Sequence, residues 1–167
     1  MSHTHNKGFH HFVWSTWNRE PLLTEEKKQH AYAIIQQQCK RMKVEILAVG
    51  SISDHVHVLV TLPTTLCVAD FMEAVKGISA NAVNKAYESL SFSFKWQGGY
   101  GFNTVSASHV RMIRSYIEKQ TLHHAEGSLW PNCELPEKTS ALTQLSAPAP
   151  WVQPWEADLA SNSSQRA

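Results

Sequence analysis

The sequence predicts an α+β fold in which helices cover a single antiparallel sheet. Segments with the alternation and β-branched or aromatic content of strands are interspersed with segments whose apolar residues recur at helical spacing. Two of the strand segments are joined by residues 50–54 alone, which is short enough for a hairpin-type connection. Of the 167 residues, 43% are apolar and 17% are charged, so the chain can bury a core and is not disordered throughout.

The first predicted strand covers Phe9 to Thr16, which is rich in aromatic and β-branched residues and precedes the turn-forming run 18–21. A helix is predicted next, with Thr24 as its N-cap, two glutamates in its first turn and a basic end at residues 40–43. The acidic start and the basic end both suit the helix dipole, which supports this prediction.

Residues 44–49 and 56–62 are predicted to form the next two strands, and their short connection makes them antiparallel neighbours. Pro63 ends the second of them. A long helix is then predicted from about Leu66 to Tyr87, because its apolar residues form one stripe at helical spacing.

The last part of the predicted sheet is interrupted by glycines. Residues 92–96 alternate large and polar side chains and are predicted as an edge or half-buried strand, and strand character resumes at 102–105. A final helix is predicted from Ser106 or Ser108 to about His124. The order β-α-β-β-α-β-α is the ferredoxin-like βαββαβ antiparallel sheet with helices on one face, plus a C-terminal helix.

We expect residues 1–130 to form one domain and residues 131–167 to form a Pro- and Ser-rich tail, flexible or draped over the surface. No apolar run approaches the roughly 20 residues needed to cross a bilayer. The polar N-terminus lacks the features of a secretory signal, so we expect a cytoplasmic protein without a membrane span. The three cysteines are widely spaced and form no C-x-x-C pair, which argues against a disulfide framework or a zinc knuckle.

The sharpest local pattern is Asp54-His55-Val56-His57 at the start of a predicted strand. Side chains alternate along a strand, so the two imidazoles point to the same face, about 6 to 7 Å apart, and can share a divalent ion. The same pattern also fits a polar sheet face whose histidines contact water or carboxylates. The H-x-H pattern alone does not decide between these interpretations.

A second pattern lies in the last predicted helix. Gln120 follows Tyr116 by four residues and His123 follows it by seven, so the three side chains share one helix face. If this helix lies on the sheet, it can bring a phenol and an amide oxygen to the two histidines. Taken alone, the tyrosine also fits a packing role and the glutamine fits a solvated helix position.

Five blocks of sequence, in order, carry a family resemblance: HHFVWSTWNREPLL (10–23), SDHVHVLV (53–60), KGISANAVNK (76–85), WQGGYGF (96–102) and YIEKQTLHH (116–124). They resemble the successive signature blocks of the single-tyrosine HUH transposases, the IS200-like transposases of small bacterial insertion sequences. The REP-associated tyrosine transposases are among their relatives. The resemblance spans roughly residues 9–124, and five ordered blocks are far more specific than any one of them.

The resemblance implies a DNA transposase that cuts and rejoins single-stranded DNA at hairpin-marked element ends. It assigns His55 and His57 to a metal-binding pair, Gln120 to the third ligand and Tyr116 to the nucleophile. Attack by the tyrosine would leave a 5′-phosphotyrosine link and a free 3′-OH, with Mg²⁺ or Mn²⁺ offsetting charge at phosphorus. Two imidazoles and an amide are an incomplete shell for Mg²⁺, so we expect weak metal binding without DNA.

Partners follow from the same resemblance. Single-stranded or hairpin DNA is the expected substrate, and a homodimer is expected because many relatives are dimers. The sequence does not show whether the tyrosine meets the histidines of its own chain or of a partner.

Residues 1–124 carry 13 lysines and arginines against 9 acidic residues, a balance that permits a polyanionic partner without requiring one. The basic residues that we predict as phosphate contacts are Lys7, Arg19, Lys40, Arg41, Lys43, Lys76 and Arg111. Trp17, Trp96 and Tyr100 are candidate stacking platforms for unpaired bases.

Two other functions remain open at this stage. A domesticated or inactive hairpin-DNA-binding protein would keep the fold without turnover. A metal-dependent hydrolase with an unrelated small substrate would ignore DNA and would not require a phenol in the last helix.

Overall fold

The computed structural model describes residues 8–87 and 93–135. Its strands are β1 (Phe9–Ser15), β2 (Glu45–Ser51), β3 (His55–Thr61) and β4 (Gly101–Val105). Its α-helices are α1 (Glu25–Arg41), α2 (Val68–Ala86), α3 (Val110–Glu118) and α4 (Gln120–Glu126), and short 3-10 turns cover Trp17–Arg19 and Pro131–Cys133. Among the described helices, none is long and apolar enough to cross a membrane.

The strands form one antiparallel sheet in the order β2-β3-β1-β4. Together with the element order this is the ferredoxin-like arrangement, so the predicted α+β fold is confirmed. The pairing of β1 with β3 places Val13 opposite His57 and Ser15 opposite His55. Because successive side chains of a strand point to opposite faces, the two histidines lie on one face of the sheet and Val56, Val58 and Val60 lie on the other, the valine face.

Helices α1 and α2 cover the valine face, and the larger hydrophobic core lies there. Phe12 and Trp14 of β1 point into this core together with alternate valines of β3. Helix α1 begins as predicted, since the hydroxyl of Thr24 accepts a hydrogen bond from the N–H of Lys27. This layer buries the apolar stripe of each helix and leaves the histidine face of the sheet for α3.

Helix α3 packs on the histidine face, against β2 and β3. The approach is closest at Gly50 of β2, where a Cβ atom would lie 1.9 Å from the carbonyl oxygen of Ile117. A residue without a side chain is needed for backbone to approach backbone in this way. Gly50 therefore sets the distance between the sheet and the helix that carries Tyr116.

We expect Gly50→Ala to lower the free energy of unfolding by about 1–3 kcal/mol, because the added methyl group collides with backbone atoms that cannot rotate away. Gly77→Ala in α2 is the matched control, since a Cβ there meets nothing within 4 Å. This control is expected to raise the free energy of unfolding by about 0.5–1 kcal/mol. Urea denaturation measures the free energy of unfolding of both variants. If Gly50→Ala changed it by the same amount and in the same direction as Gly77→Ala, Gly50 would not set the helix position.

The prediction of a strand over residues 92–96 is wrong for residues 93–96, while Phe92 lies outside the described residues. Trp96 makes only an isolated bridge to Thr16. The side chain of Asn84 accounts for the difference, because it accepts from the N–H of Phe94 at 2.6 Å and donates to the carbonyl of Phe94 at 2.9 Å. The N–H and the carbonyl of Phe94, which a strand would pair with a neighbouring strand, are thus both bonded to the side chain of Asn84.

The single helix predicted up to His124 is two helices, α3 and α4, which meet at Lys119 with φ −108° and ψ 21°. Helix α4 ends at Glu126 and is followed by Gly127, a left-handed C-cap with a φ of +67°. Of the predicted tail, residues 131–135 are described, and Cys133 packs beneath α3. Residues 136–167 lie outside the described part of the chain.

Candidate active site

The two histidines of β3 and the tyrosine of α3 converge within one chain. The rings of His55 and His57 lie 4.9 Å apart, and the ring of His57 lies edge-on to that of Tyr116 at 6.2 Å. Gln120 brings its side-chain oxygen to 3.4 Å from Nε2 of His55. All four side chains are buried. A partner subunit is therefore not needed to bring this tyrosine to these histidines.

Each histidine of the pair is oriented through its other ring nitrogen. Nδ1 of His55 is 2.7 Å from Oδ1 of Asp54, and Nδ1 of His57 is 3.0 Å from Nε2 of His11. These contacts leave both Nε2 atoms directed into the pocket. An outer hydrogen bond that fixes the ring in this way is typical of histidines that bind metal ions.

A carboxylate from the segment predicted as tail completes the pocket. Oε2 of Glu134 is 3.4 Å from Nε2 of His55 and 3.5 Å from Nε2 of His57. The same oxygen is 3.9 Å from Nε2 of His124 in α4. Oε1 accepts a hydrogen bond from the hydroxyl of Tyr116. No sequence pattern connects this glutamate to the histidines, and the prolines around it indicate irregular chain.

The donor atoms of this pocket suit a divalent metal ion. Ligands held at about 2.1 Å in an octahedral shell lie about 3 to 4 Å apart, and Glu134 lies 3.4 to 3.9 Å from the three imidazoles. The ligand atoms of His55, His124 and Glu134 all lie within 4.8 Å of one another. Nε2 of His57 and Nε2 of His124 are buried without a hydrogen-bond partner in the described residues. A bound cation would satisfy both atoms.

The protonation states of these groups are those that bind metal. Burial alone would raise the pKa of Glu134, but hydrogen bonds and charges from His57, Tyr116 and His55 outweigh it and lower that pKa to about 2. Burial lowers the pKa of His57 and of His124. At neutral pH the site therefore holds an ionised carboxylate at Glu134 and neutral imidazoles at His57 and His124.

Tyr116 is held rigidly and is protonated at neutral pH. Its ring stacks on Trp130, with centroids 4.5 Å apart and planes 14° from parallel, and its oxygen accepts the backbone N–H of Trp130 at 3.2 Å. Burial and the hydrogen bond to Glu134 raise the pKa of Tyr116 to about 12. Such a phenol needs an acceptor for its proton before it can act as a nucleophile. The carboxylate beside it is an acceptor within hydrogen-bond distance.

Two of the basic residues predicted to contact DNA lie beside this pocket. Arg19 donates from Nη2 to the carbonyl of Leu135 at 3.1 Å, next to Glu134. Arg111 lines a groove on α3 together with Tyr116, Lys119 and other residues. Both can reach a polyanion that enters the pocket.

The other basic residues predicted to contact DNA lie elsewhere. Lys40 and Arg41 end α1, and Lys43 precedes the end of the sheet where Glu45 pairs with Thr61, away from the histidines. Lys76 donates to the carbonyls of Gln97, Gly98 and Gly99 at 2.7, 3.1 and 2.8 Å, which occupies all three of its N–H donors. It holds the loop before β4. Lys7 is outside the described residues.

The candidate stacking residues also differ in position. Trp96 is buried, and its ring nitrogen donates to the hydroxyl of Ser79 at 2.9 Å. Trp17 and Tyr100 are exposed. Only these last two rings are accessible to a base.

The family model of the IS200-like transposases matches residues 4–120. The transposase for insertion sequence element IS200 of Salmonella typhimurium is 27% identical over 124 residues, which cover 72% of this chain and 81% of the relative. The ISDra2 transposase TnpA of Deinococcus radiodurans is 28% identical over 115 residues, covering 66% of this chain and 82% of that protein.

Solved structures agree with these matches. A Deinococcus radiodurans protein described as a transposase is 26% identical, with a TM-score of 0.58, and the similarity covers 72% of this chain and 96% of that one. The structure of a REP-associated tyrosine transposase bound to a REP hairpin is 18% identical, with a TM-score of 0.55, covering 83% of this chain and 94% of that one. This second likeness shows a shared fold. Because the family model covers most of residues 1–124, including the histidine pair and Tyr116, this chain belongs to the IS200-like transposase family.

Proposed function

We propose that this transposase cleaves and rejoins single-stranded DNA at hairpin-marked element ends through a 5′-phosphotyrosine intermediate. The observation that carries the proposal is the convergence of Tyr116 with the His55 and His57 pair in one buried pocket. A tyrosine hydroxyl, a carboxylate acceptor and a cluster of metal donors are the groups that phosphodiester transfer to tyrosine requires.

In this proposal His55, His57 and Gln120 hold a divalent ion, Mg²⁺ or Mn²⁺, and His124 and Glu134 contribute further donors. A bound divalent ion supplies Lewis-acid polarisation of the scissile phosphate. Three imidazoles with one carboxylate suit Mn²⁺ better than Mg²⁺, which prefers oxygen ligands. The carboxylate of Glu134 and the imidazole of His124 supply ligands that the incomplete shell of two histidines and an amide lacks.

The residues of the chain divide the chemistry between them. Tyr116 Oη forms a bond to phosphorus as the bond from phosphorus to the 3′-oxygen breaks. The neighbouring carboxylate of Glu134 accepts the phenolic proton and passes it to the departing 3′-oxygen, which leaves as a hydroxyl. The phosphotyrosine ester keeps the energy of the broken bond, so attack by a 3′-OH can rejoin strands without ATP.

DNA binding in this proposal is distributed over the basic surface. Arg19 and Arg111 would contact phosphates at the pocket, and Lys40, Arg41 and Lys43 would contact a more distant part of the hairpin. The structural neighbour bound to a REP hairpin supports hairpin DNA as the ligand class. Lys76 would act indirectly, through the loop that it holds.

We also propose a homodimer and a cytoplasmic location, where chromosomal DNA is the substrate. Since one chain supplies both the histidines and the tyrosine, a dimer would hold two DNA ends together rather than complete one site.

The test is incubation of the protein with Mn²⁺ and labelled single-stranded DNA that contains an imperfect palindrome from beside its coding region. We expect a covalent protein–DNA adduct that resists denaturation and disappears when EDTA removes the metal. Binding of the hairpin without any adduct would favour the alternative of a hairpin-binding protein without turnover. An adduct that forms equally in EDTA would contradict the metal assignment.

A further inference from the structure

A short turn connects the metal pocket to an exposed tryptophan. Ser15, the last residue of β1, lies opposite His55, and the chain then enters the Trp17–Arg19 turn. The N–H of Thr16 donates to the carbonyl of Asp54 at 2.8 Å. The turn is thus fixed to the residue that precedes His55, and it lies at the same end of the sheet as the pocket.

The ring of Trp17 is held in place but remains 42% exposed. Nζ of Lys95 lies 4.0 Å from the centre of this ring, a cation–π contact. The N–H of Trp17 donates to the carbonyl of Lys95 at 2.8 Å, and the N–H of Asn18 donates to the side-chain oxygen of Gln97 at 3.3 Å. These bonds fix the backbone under the ring, so an incoming flat group would meet a rigid aromatic surface.

The conformation of the turn sends its side chains in different directions. Asn18 and Arg19 both have left-handed backbone conformations, with φ values of 54° and 55°. Trp17 is directed to solvent, whereas Arg19 reaches the carbonyl of Leu135 beside the pocket. Lys95 therefore places positive charge over the tryptophan ring, and Arg19 places positive charge toward the metal site.

We propose that Trp17, backed by Lys95, is a stacking platform for an unpaired nucleobase next to the scissile phosphodiester, and that Arg19 contacts the phosphate between them. This inference rests on the proposed function and identifies the path by which the strand leaves the pocket. Every nucleobase has a π-face, so the platform accepts any base. The flanking cations match the anionic backbone of a nucleic acid strand.

The test measures binding of a fluorescein-labelled oligothymidine of about 12 nucleotides by fluorescence anisotropy. Trp17→Ala is expected to weaken binding about tenfold, because a base–aromatic stack is lost. On an abasic strand of the same length, Trp17→Ala and the parent protein are expected to bind equally. Trp17→Phe, which keeps a ring, is expected to retain most of the affinity.

A matched control removes an equally exposed ring from another surface. Phe102 of β4 is 40% exposed and lies with Phe12 on the face of the sheet opposite the histidine pair. Phe102→Ala is therefore expected to change binding of neither oligothymidine nor the abasic strand. Lys95→Met should reduce the slope of log affinity against log salt by about one, whereas Trp17→Ala should leave that slope unchanged. Thermal unfolding of each variant establishes that it is folded.

Three outcomes would overturn the inference. They are equal binding of oligothymidine by Trp17→Ala and parent, an equal loss on normal and abasic strands, and no oligothymidine binding by the parent. The proposed function is judged separately by the Tyr116-dependent adduct. A parent protein that forms the adduct but is insensitive to Trp17→Ala would retain its proposed function and lose only the stacking platform.

Discussion

Replacing Tyr116 by phenylalanine is expected to abolish the covalent protein–DNA adduct and to slow strand cleavage by at least about 10³-fold. The variant lacks only the oxygen that would attack phosphorus. Its ring can keep the stack on Trp130 and the edge-on contact with His57, so the fold and the DNA affinity should persist. Denaturing gels with end-labelled single-stranded DNA measure both the adduct and the cleaved strand.

Tyr100→Phe is the control for this experiment, because Tyr100 is exposed on the loop before β4 and makes no contact with the histidine pair among the described residues. It should form the adduct at the parent rate. An undiminished adduct in Tyr116→Phe would assign the nucleophile to another side chain. Full cleavage without an adduct would instead indicate attack by water, and the phosphotyrosine proposal would be wrong.

The convergence of the pocket could be anticipated from two periodicities. The alternation of a strand puts His55 and His57 on one face, and helical spacing puts Gln120 near Tyr116. The structure brings these groups together even though the predicted helix breaks at Lys119. The break falls between Tyr116 and Gln120, but both helices contact β2, so both side chains still reach the histidines.

The contributions of the Glu134 carboxylate and the His124 imidazole to the pocket could not be anticipated in the same way. Glu134 lies in irregular chain, where no period relates its direction to the sheet. Only the path of residues 127–134 from the end of α4 back to α3 brings its carboxylate to the tyrosine. His11 depends on tertiary structure in the same way, because it holds a ring nitrogen of His57 from another strand, whereas Asp54 is the sequence neighbour of the His55 ring that it holds.

The failed strand at 93–96 has a similar origin. The alternation of Phe94, Lys95 and Trp96 corresponds to their burial, since the two aromatic side chains are in the core and the lysine is exposed. A strand also needs a neighbour that accepts its backbone hydrogen bonds, and here Asn84 takes that place at Phe94. Alternation in sequence predicts which side chains are buried, but it does not predict the partner of the backbone.

Replacing His57 by alanine is expected to reduce adduct formation by at least about 10²-fold while changing hairpin affinity by less than about threefold. The imidazole is wholly buried. Its Nε2 lies 3.5 Å from Oε2 of Glu134 and has no hydrogen-bond partner among the described residues. Its loss removes a metal donor from the pocket, whereas affinity for DNA depends mainly on phosphate contacts made by other residues.

Metal binding can be measured without DNA in the same variant. Mn²⁺ that binds the folded state raises the melting temperature of the parent protein, and His57→Ala should show little or no such rise. His30→Ala, which removes an imidazole from α1 on the other side of the sheet, should keep both the rise and the adduct. If His57→Ala lost the adduct but kept the full Mn²⁺-dependent rise, its imidazole would act on the DNA or on Tyr116 instead of on the metal. If it also lost hairpin affinity and its cooperative melting transition, a folding defect would explain the loss, and His55→Ala would then decide the metal assignment.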